Sequence, residues 1–253
     1  MPNRITFINH ATVLIQFGKT VILTDPVYSW SVSYFLPRLK KPGIPFNSLP
    51  SVDLIAVSHN HYDHLNFRTL RRLRRRNQCA IVMAQGDGRY ARRLGFDRIH
   101  ELKWWENVEL NGITITAVPA VHFSGRTPWS RNRSAASGYV FQSNGKSVYF
   151  AGDTAGGDFL DELASRFSLT VALLPIGAYR PHDWFKDIHL NPRTAIEAFQ
   201  RCEARYLVPI HWGTFKISDE PMSEPPQLLW EEARKAGIEE RVRILQNGEY
   251  LDL

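Results

Sequence analysis

The sequence of 253 residues has only two cysteines, Cys79 and Cys202, and no Cys-x-x-Cys pair. That argues against a disulfide framework and fits a reducing, cytoplasmic setting with both thiols in the core. No uninterrupted apolar run of about 18 residues occurs, so no transmembrane helix is expected. The start, MPNRITFINHATVLIQF, lacks a basic segment leading into an apolar run and a small-residue cleavage site. It reads as strands from the outset, not as a secretion signal. Low-complexity tracts are missing too, and the 43% hydrophobic content is ordinary for a folded globular chain. No composition break marks a linker, so residues 1–253 are expected to form one domain.

Acidic residues are in the minority: the net charge is +6 and the pI about 9.4. A basic balance suits an anionic partner such as phosphate, nucleic acid or a membrane surface. The densest patch is FRTLRRLRRRN, residues 67–77. Phe67, Leu70 and Leu73 recur every third position, which predicts a helix with one apolar stripe and outward arginines. Two readings of that face stay open: a solvated surface, or one that holds the protein near anionic lipid or a polyanion. Nucleic-acid surfaces interleave aromatics with basic residues, and here Phe67 alone is aromatic. A nucleic-acid-binding protein or nuclease is therefore the alternative from another class, and no nucleic-acid partner is expected. A homo-oligomer is compatible with the composition.

The pattern along the chain is α/β. RITFI, TVLIQF and TVILTD are short and rich in β-branched and aromatic residues, with Gly18-Lys19 as a turn. VDLIAVS, CAIVMA, TVALLP and RYLVPI are apolar runs of strand length, suited to burial on both faces. Asn111-Gly112 and Asn144-Gly145 mark hairpins. Helices are expected over GDGRYARRLG, near 158–166, and from Pro192, where Asn191 is a good N-cap and proline suits the first turn. SGYVFQSNGKSVYFAGDT echoes TVLIQFGKTVILTDP, with Gly18-Lys19 laid on Gly145-Lys146. The echo suggests two β-rich halves of related design.

The chemistry lies in VSHNHYDHLN, residues 57–66. His59, His61, Asp63 and His64 are crowded at the end of a strand-like run. His122, Asp153 and His211 follow their own strand-like runs, ITITAVPAV, SVYFAG and RYLVPI. Strand ends of such folds converge on one edge. His59 and His61, two apart in an extended turn, can point the same way, and Asp63 and His64 lie beyond the bend. Uncompensated, such a crowd would be costly to bury; a dication resolves the cost. Seven imidazole and carboxylate ligands suit two metals, zinc first and iron or manganese as alternatives. His10 and His100 read as hydrogen-bonded core or turn residues.

HNHYDH is the His-x-His-x-Asp-His signature, and the chain resembles the metallo-β-lactamase superfamily. HATV (10–13), LTDPV (23–27), SHNHYDHLN (58–66), FAGDT (150–154), LPIGAY (174–179) and IHWGTF (210–215) resemble more closely the phospholipase D that hydrolyses N-acylphosphatidylethanolamine and its bacterial relatives. The resemblance implies an αββα sandwich, two mixed β-sheets flanked by helices, with a dinuclear site at one edge. It implies that His59, His61 and His122 hold one Zn2+, that Asp63, His64 and His211 hold the other, and that Asp153 bridges. Asp25, in LTDP, would orient a ligand of the cluster. His189, in DIHLNP, would line the site without binding metal and, with Asp63, serve catalysis. Arg126, Tyr179 and Trp184 are assigned to substrate contact. The implied reaction is phosphodiester hydrolysis by activated water, giving an N-acylethanolamine and phosphatidic acid, with peripheral membrane contact. No His-x-Lys-x4-Asp segment occurs, which disfavours the covalent type of phospholipase D. The nearest alternative keeps the metals and changes the substrate to a soluble lactone, cyclic phosphate or sugar phosphate. The loop from His122 to Ser137, HFSGRTPWSRNRSAAS, is this chain's own in its basic and Trp content, and such loops shape substrate pockets.

Overall fold

Near-continuous apolar runs become strands buried on both faces. The computed structural model describes residues 3–33 and 36–253. Its first half contains β1 (Arg4–Asn9), β2 (Thr12–Phe17), β3 (Thr20–Thr24), β4 (Ser31–Ser33), β5 (Leu36–Pro37), β6 (Leu54–Val57), α1 (Phe67–Arg76), β7 (Ala80–Ala84), α2 (Gly88–Leu94) and β8 (Ile99–Leu102). The second half contains β9 (Asn107–Leu110), β10 (Ile113–Pro119), β11 (Ser137–Ser143), β12 (Lys146–Phe150), α3 (Phe159–Arg166), β13 (Val171–Pro175), α4 (His182–Phe185), α5 (Pro192–Arg201), β14 (Tyr206–Ile210), α6 (Glu224–Lys235) and β15 (Tyr250–Asp252).

One sheet has the order β15-β1-β2-β3-β6-β7-β8 and the other β14-β13-β12-β11-β10-β9. Both are mixed. The hairpin of β2 and β3 leads into parallel β6, β7 and β8; the hairpin of β11 and β12 leads into parallel β13 and β14. Period-2 alternation sorts the side chains. Leu54 and Ala56 of β6 join the cluster between the sheets, with Ile15, Tyr139 and Phe141. Ile55 and Val57 join Leu70, Leu73 and Ala91 under α1 and α2. Leu163, Phe199 and Leu229 of α3, α5 and α6 cover the second sheet. Helices on both outer faces complete the αββα sandwich.

The helix signals act locally. Asn66 caps α1 by accepting from the Thr69 N–H, and Asn191 caps α5 by accepting from Thr194. Leu70 and Leu73 are fully buried, each contributing roughly 1.5–3 kcal/mol. Cys79 and Cys202 are both free and buried. No helix among the described residues is long and apolar enough to cross a membrane.

Candidate metal centre

The two sheets meet where their strand ends come together. The Tyr139 hydroxyl donates to Val57 O at 2.9 Å, and the Ser137 N–H donates to Ser58 O at 3.0 Å. Gly152 permits this approach. Its φ is +63°, and a Cβ there would lie 2.5 Å from Ser58 Cβ. The HNHYDH loop leaves β6 at this seam, and Asp153 arrives from β12. Asn60 pins the loop by donating to Asp87 and Ser134 and accepting from the Gly125 N–H.

Three ring nitrogens converge on one side. His59 Nε2 lies 2.8 Å from His61 Nδ1, and His122 Nε2 lies 3.2 Å from the same atom. Donors around one tetrahedral zinc sit about 3.3 Å apart, given Zn–N bonds of about 2.0–2.1 Å. Burial, reinforced by the neighbouring imidazoles, holds His59 well below the ordinary value and His61 at about 4. Burial also lowers His122. These shifts favour the neutral imidazole, the form that binds metal.

The other side is different. Asp63 Oδ2 lies 3.0 Å from His10 Nε2 and 3.5 Å from both His64 Nε2 and His211 Nε2. Asp153 stands between the two groups. Its Oδ2 is 3.0 Å from His64 Nε2 and 3.9 Å from His59, His122 and His189, and its Oδ1 is 3.2 Å from His211 Nε2. Burial opposes a charged His64, yet Asp153, Asp63 and Asp25 hold it well above the ordinary value. His211, likewise buried, is raised to about 9, chiefly by Asp153. Despite their own burial, Asp63 and Asp153 are held well below the usual carboxylate range by these imidazoles. The carboxylates thus favour positive charge at the place where a cation would sit.

The fit to metal rests on what remains unpaired. His64 Nε2, Asp153 Oδ1 and both His211 ring nitrogens are buried without a hydrogen-bond partner. Several of these atoms approach to about the contact distance of shared ligands but without hydrogen-bond alignment. Among the described residues, four groupings of His and Asp could hold a metal ion: His59, His61 and His122; His59, His64 and Asp153; His10, Asp63, His64 and His211; and His122, Asp153 and His189.

Supporting contacts fix the tautomers. Asp25, fully buried, accepts from the Ser58 N–H at 2.7 Å on Oδ1. Its Oδ2 accepts from the Ser58 hydroxyl at 2.6 Å and from His64 Nδ1–H at 2.6 Å. Ser58 Oγ lies 3.0 Å from His59 Nδ1, so Asp25 acts on His59 through Ser58. His122 Nδ1 donates to Ile188 O at 2.8 Å. Such outer contacts leave the other ring nitrogen free to face a metal.

The seven residues expected as ligands are all brought together, with Asp25 directly behind them. His189 also lies in the site. Burial drives it down to about 3, so it enters as a neutral imidazole and not as a ready acid. The three residues assigned to substrate contact sit in three different settings. Arg126 Nη1 donates to Asn60 O and Leu65 O at 2.9 and 2.8 Å and lies over the Tyr62 and Phe67 rings, bracing the HNHYDH loop. The Tyr179 hydroxyl is committed to Glu224 Oε1 at 2.6 Å. Trp184 is exposed on α4, with 76% of its surface open to solvent. His100, on β8, stands outside all four groupings. His10 does not: it is a buried hydrogen-bonded residue, as expected, but its partner is Asp63. The signal was present, since His10 follows RITFIN just as His59, His122 and His211 follow their strands. Ser58 and Asn60 carried no distinguishing signal beyond their place beside the histidines.

A histidine–carboxylate centre at the shared edge of an αββα sandwich defines a protein of the metallo-β-lactamase fold. The chain belongs to the beta-lactamase superfamily, whose domain model matches residues 20–212. It is 34% identical over 235 residues to an uncharacterized protein of Mycobacterium tuberculosis, covering 89% of this chain and 62% of that one. It is 33% identical over 231 residues to the mitochondrial N-acyl-phosphatidylethanolamine-hydrolyzing phospholipase D of Saccharomyces cerevisiae, covering 87% of this chain and 49% of that one. The chain thus spans less than two thirds of these relatives. Among solved structures, the isothiocyanate hydrolase from Delia radicum gut bacteria superposes with a TM-score of 0.80 at 23% identity, covering 98% of each chain.

Proposed function

We propose that the chain is a metal-dependent hydrolase that holds two zinc ions and cleaves the phosphodiester of an N-acylated ethanolamine phospholipid, releasing an N-acylethanolamine and phosphatidic acid. The observation that carries the hydrolase reading is the convergence of His59, His61 and His122 on one side of Asp153, and of Asp63, His64 and His211 on the other. The lipid reading draws on LPIGAY and IHWGTF and on the activity named for the yeast relative. A metal pair bound there would lower the pKa of water toward about 7 and offset charge gathering on phosphoryl oxygens. Iron or manganese would suit the same donors.

The chain's own groups define the rest of the reaction. Asp63, held ionised, is the most solvent-exposed of the carboxylates in the centre, its side chain 16% open. It can orient an attacking water by accepting its proton in a hydrogen bond. His189 presents a neutral ring beside Asp153 and can donate a hydrogen bond to a phosphoryl or leaving oxygen. Beside His122 lies an open groove of about 650 Å³ lined by Leu102, Trp104, Ala120 and Ala136, with Lys103 and Arg133 among its cations. Apolar wall and positive charge together suit an acyl chain carrying a phosphate. Exposed Trp129 and Trp184, with the net positive charge, favour peripheral membrane contact from the cytoplasmic side.

Turnover of N-acylphosphatidylethanolamine in mixed micelles, compared with soluble lactones, cyclic phosphates and sugar phosphates, tests the reading. Lipid cleavage yielding phosphatidic acid is expected. Robust soluble turnover without lipid turnover would sink the lipid assignment and leave the hydrolase.

A further inference from the structure

His10 occupies an unusual place. It is the first residue of the two-residue loop between β1 and β2, where Asn9 pairs with Thr12. Its φ is +49°, a conformation that Gly, Asn or Asp ordinarily supplies in such loops. A histidine held there carries backbone strain. What accompanies the strain is a set of contacts to two candidate metal ligands. The His10 ring is 2% exposed and its Nε2–H donates to Asp63 Oδ2 at 3.0 Å. The ring also packs on His211, centroids 4.0 Å apart, and meets the Phe215 ring edge-on at 5.3 Å. Its backbone completes the clamp. His10 O accepts from the His211 N–H at 2.9 Å, and the His10 N–H donates to Thr214 Oγ1 at 3.1 Å.

We propose that His10 is the positioning residue for the half of the centre formed by Asp63, His64 and His211: its ring donates to Asp63 and fixes the carboxylate, while its ring and carbonyl together fix His211. The proposal rests on the dinuclear reading. Nothing comparable ties His10 to His61 or His122, so this support acts on one metal position, unlike Asp25, which reaches both. The clamp joins the β1–β2 loop of one sheet to the residues following β14 of the other. The half that depends on His10 therefore draws its ligands from both sheets. His10 lies before the segment matched by the superfamily domain, residues 20–212.

A metal count independent of turnover tests this. His10→Phe keeps a ring of similar packing and removes the donor; His10→Gln keeps an N–H donor in reach and removes the ring. Each metal-stripped protein is titrated with zinc against a chromophoric chelator, and its fold is checked by circular dichroism. Wild type is expected to bind two ions. The Phe protein should bind one ion as wild type does and the second about 10–100-fold more weakly. The Gln protein should recover most of the second affinity. Wild-type binding of both ions by the Phe protein overturns the proposal. Equal loss in the Gln and Phe proteins also overturns it, because the hydrogen bond to Asp63 would then not be what holds the second position. Loss of both ions equally makes His10 a general structural residue and overturns it too. Should the Phe protein not fold, His10→Met takes its place in the same comparison. A wild-type chain that binds no second ion defeats the dinuclear reading instead, which keeps the two failures apart.

Discussion

Replacing Asp25 by asparagine should weaken both metal positions without unfolding the protein. Asp25 keeps two backbone contacts that do not depend on its carboxylate: its N–H donates to Ala56 O at 2.8 Å, and its carbonyl accepts from Thr12 Oγ1 at 2.7 Å. Asparagine has the same shape but only one acceptor oxygen. The Ser58 backbone N–H cannot reorient, so the oxygen must stay at the Oδ1 position. The new NH2 then faces Ser58 Oγ and His64 Nδ1, which lie 2.6 Å from Oδ2 in the native chain. His64 must present a lone pair at Nδ1 and carry its proton on Nε2, the atom that faces Asp153 and Asp63. The Ser58 hydroxyl, now accepting from the amide, turns its proton toward His59 Nδ1, 3.0 Å away. That moves the His59 proton to Nε2 as well. One atom change thus puts a proton on a donor nitrogen of each half. Loss of such an outer contact costs about 10–100-fold in metal affinity, or about 1.4–2.7 kcal/mol at each position. Zinc competition with a chelator reads the affinities, and thermal unfolding of the metal-free protein checks the fold. Native affinity at both positions in a folded Asp25→Asn protein would refute the tautomer argument.

Two further outcomes follow from the same geometry. His211 is held at about 9 in the metal-free chain, and its proton must leave before Nε2 can bind metal. Zinc binding at pH 7 should therefore release protons, and affinity should rise as pH climbs toward 9; calorimetry in buffers of different ionisation enthalpy that finds no proton release contradicts this. Arg126→Ala removes two hydrogen bonds to the HNHYDH loop backbone and should destabilise the fold by about 2 kcal/mol. An unchanged melting temperature with a raised KM for an anionic substrate would contradict the bracing role and favour substrate contact.

The strands and helices were legible because their signals are local. Leu70 and Leu73 fall on the buried stripe of α1, and Asn66 and Asn191 act as caps through contacts within one turn. The internal echo was legible too, but its register was not. Phe17 pairs with Thr20 around Gly18-Lys19, and Ser143 pairs with Lys146 around Asn144-Gly145. The structural match therefore lays Gly18-Lys19 on Asn144-Gly145, one residue earlier than the sequence alignment. The seven histidine and carboxylate positions could be singled out because His59, His122, Asp153 and His211 each follow a strand whose end reaches the same edge, and His61, Asp63 and His64 continue the loop that His59 opens. His10 follows a strand as well, but its role depends on a contact with Asp63 and on packing against His211, both far along the chain. Tyr179 illustrates the opposite limit: its hydroxyl is committed to Glu224 at the start of α6, a contact far along the chain that no local pattern records.

The most direct test counts metal and follows turnover together. The metal-stripped chain is titrated with zinc while elemental analysis reports ions bound and phosphodiester cleavage is measured at each step. The account predicts two ions per chain, with turnover rising until the second is bound. One ion per chain at full turnover, or undiminished turnover in the stripped chain, would contradict it.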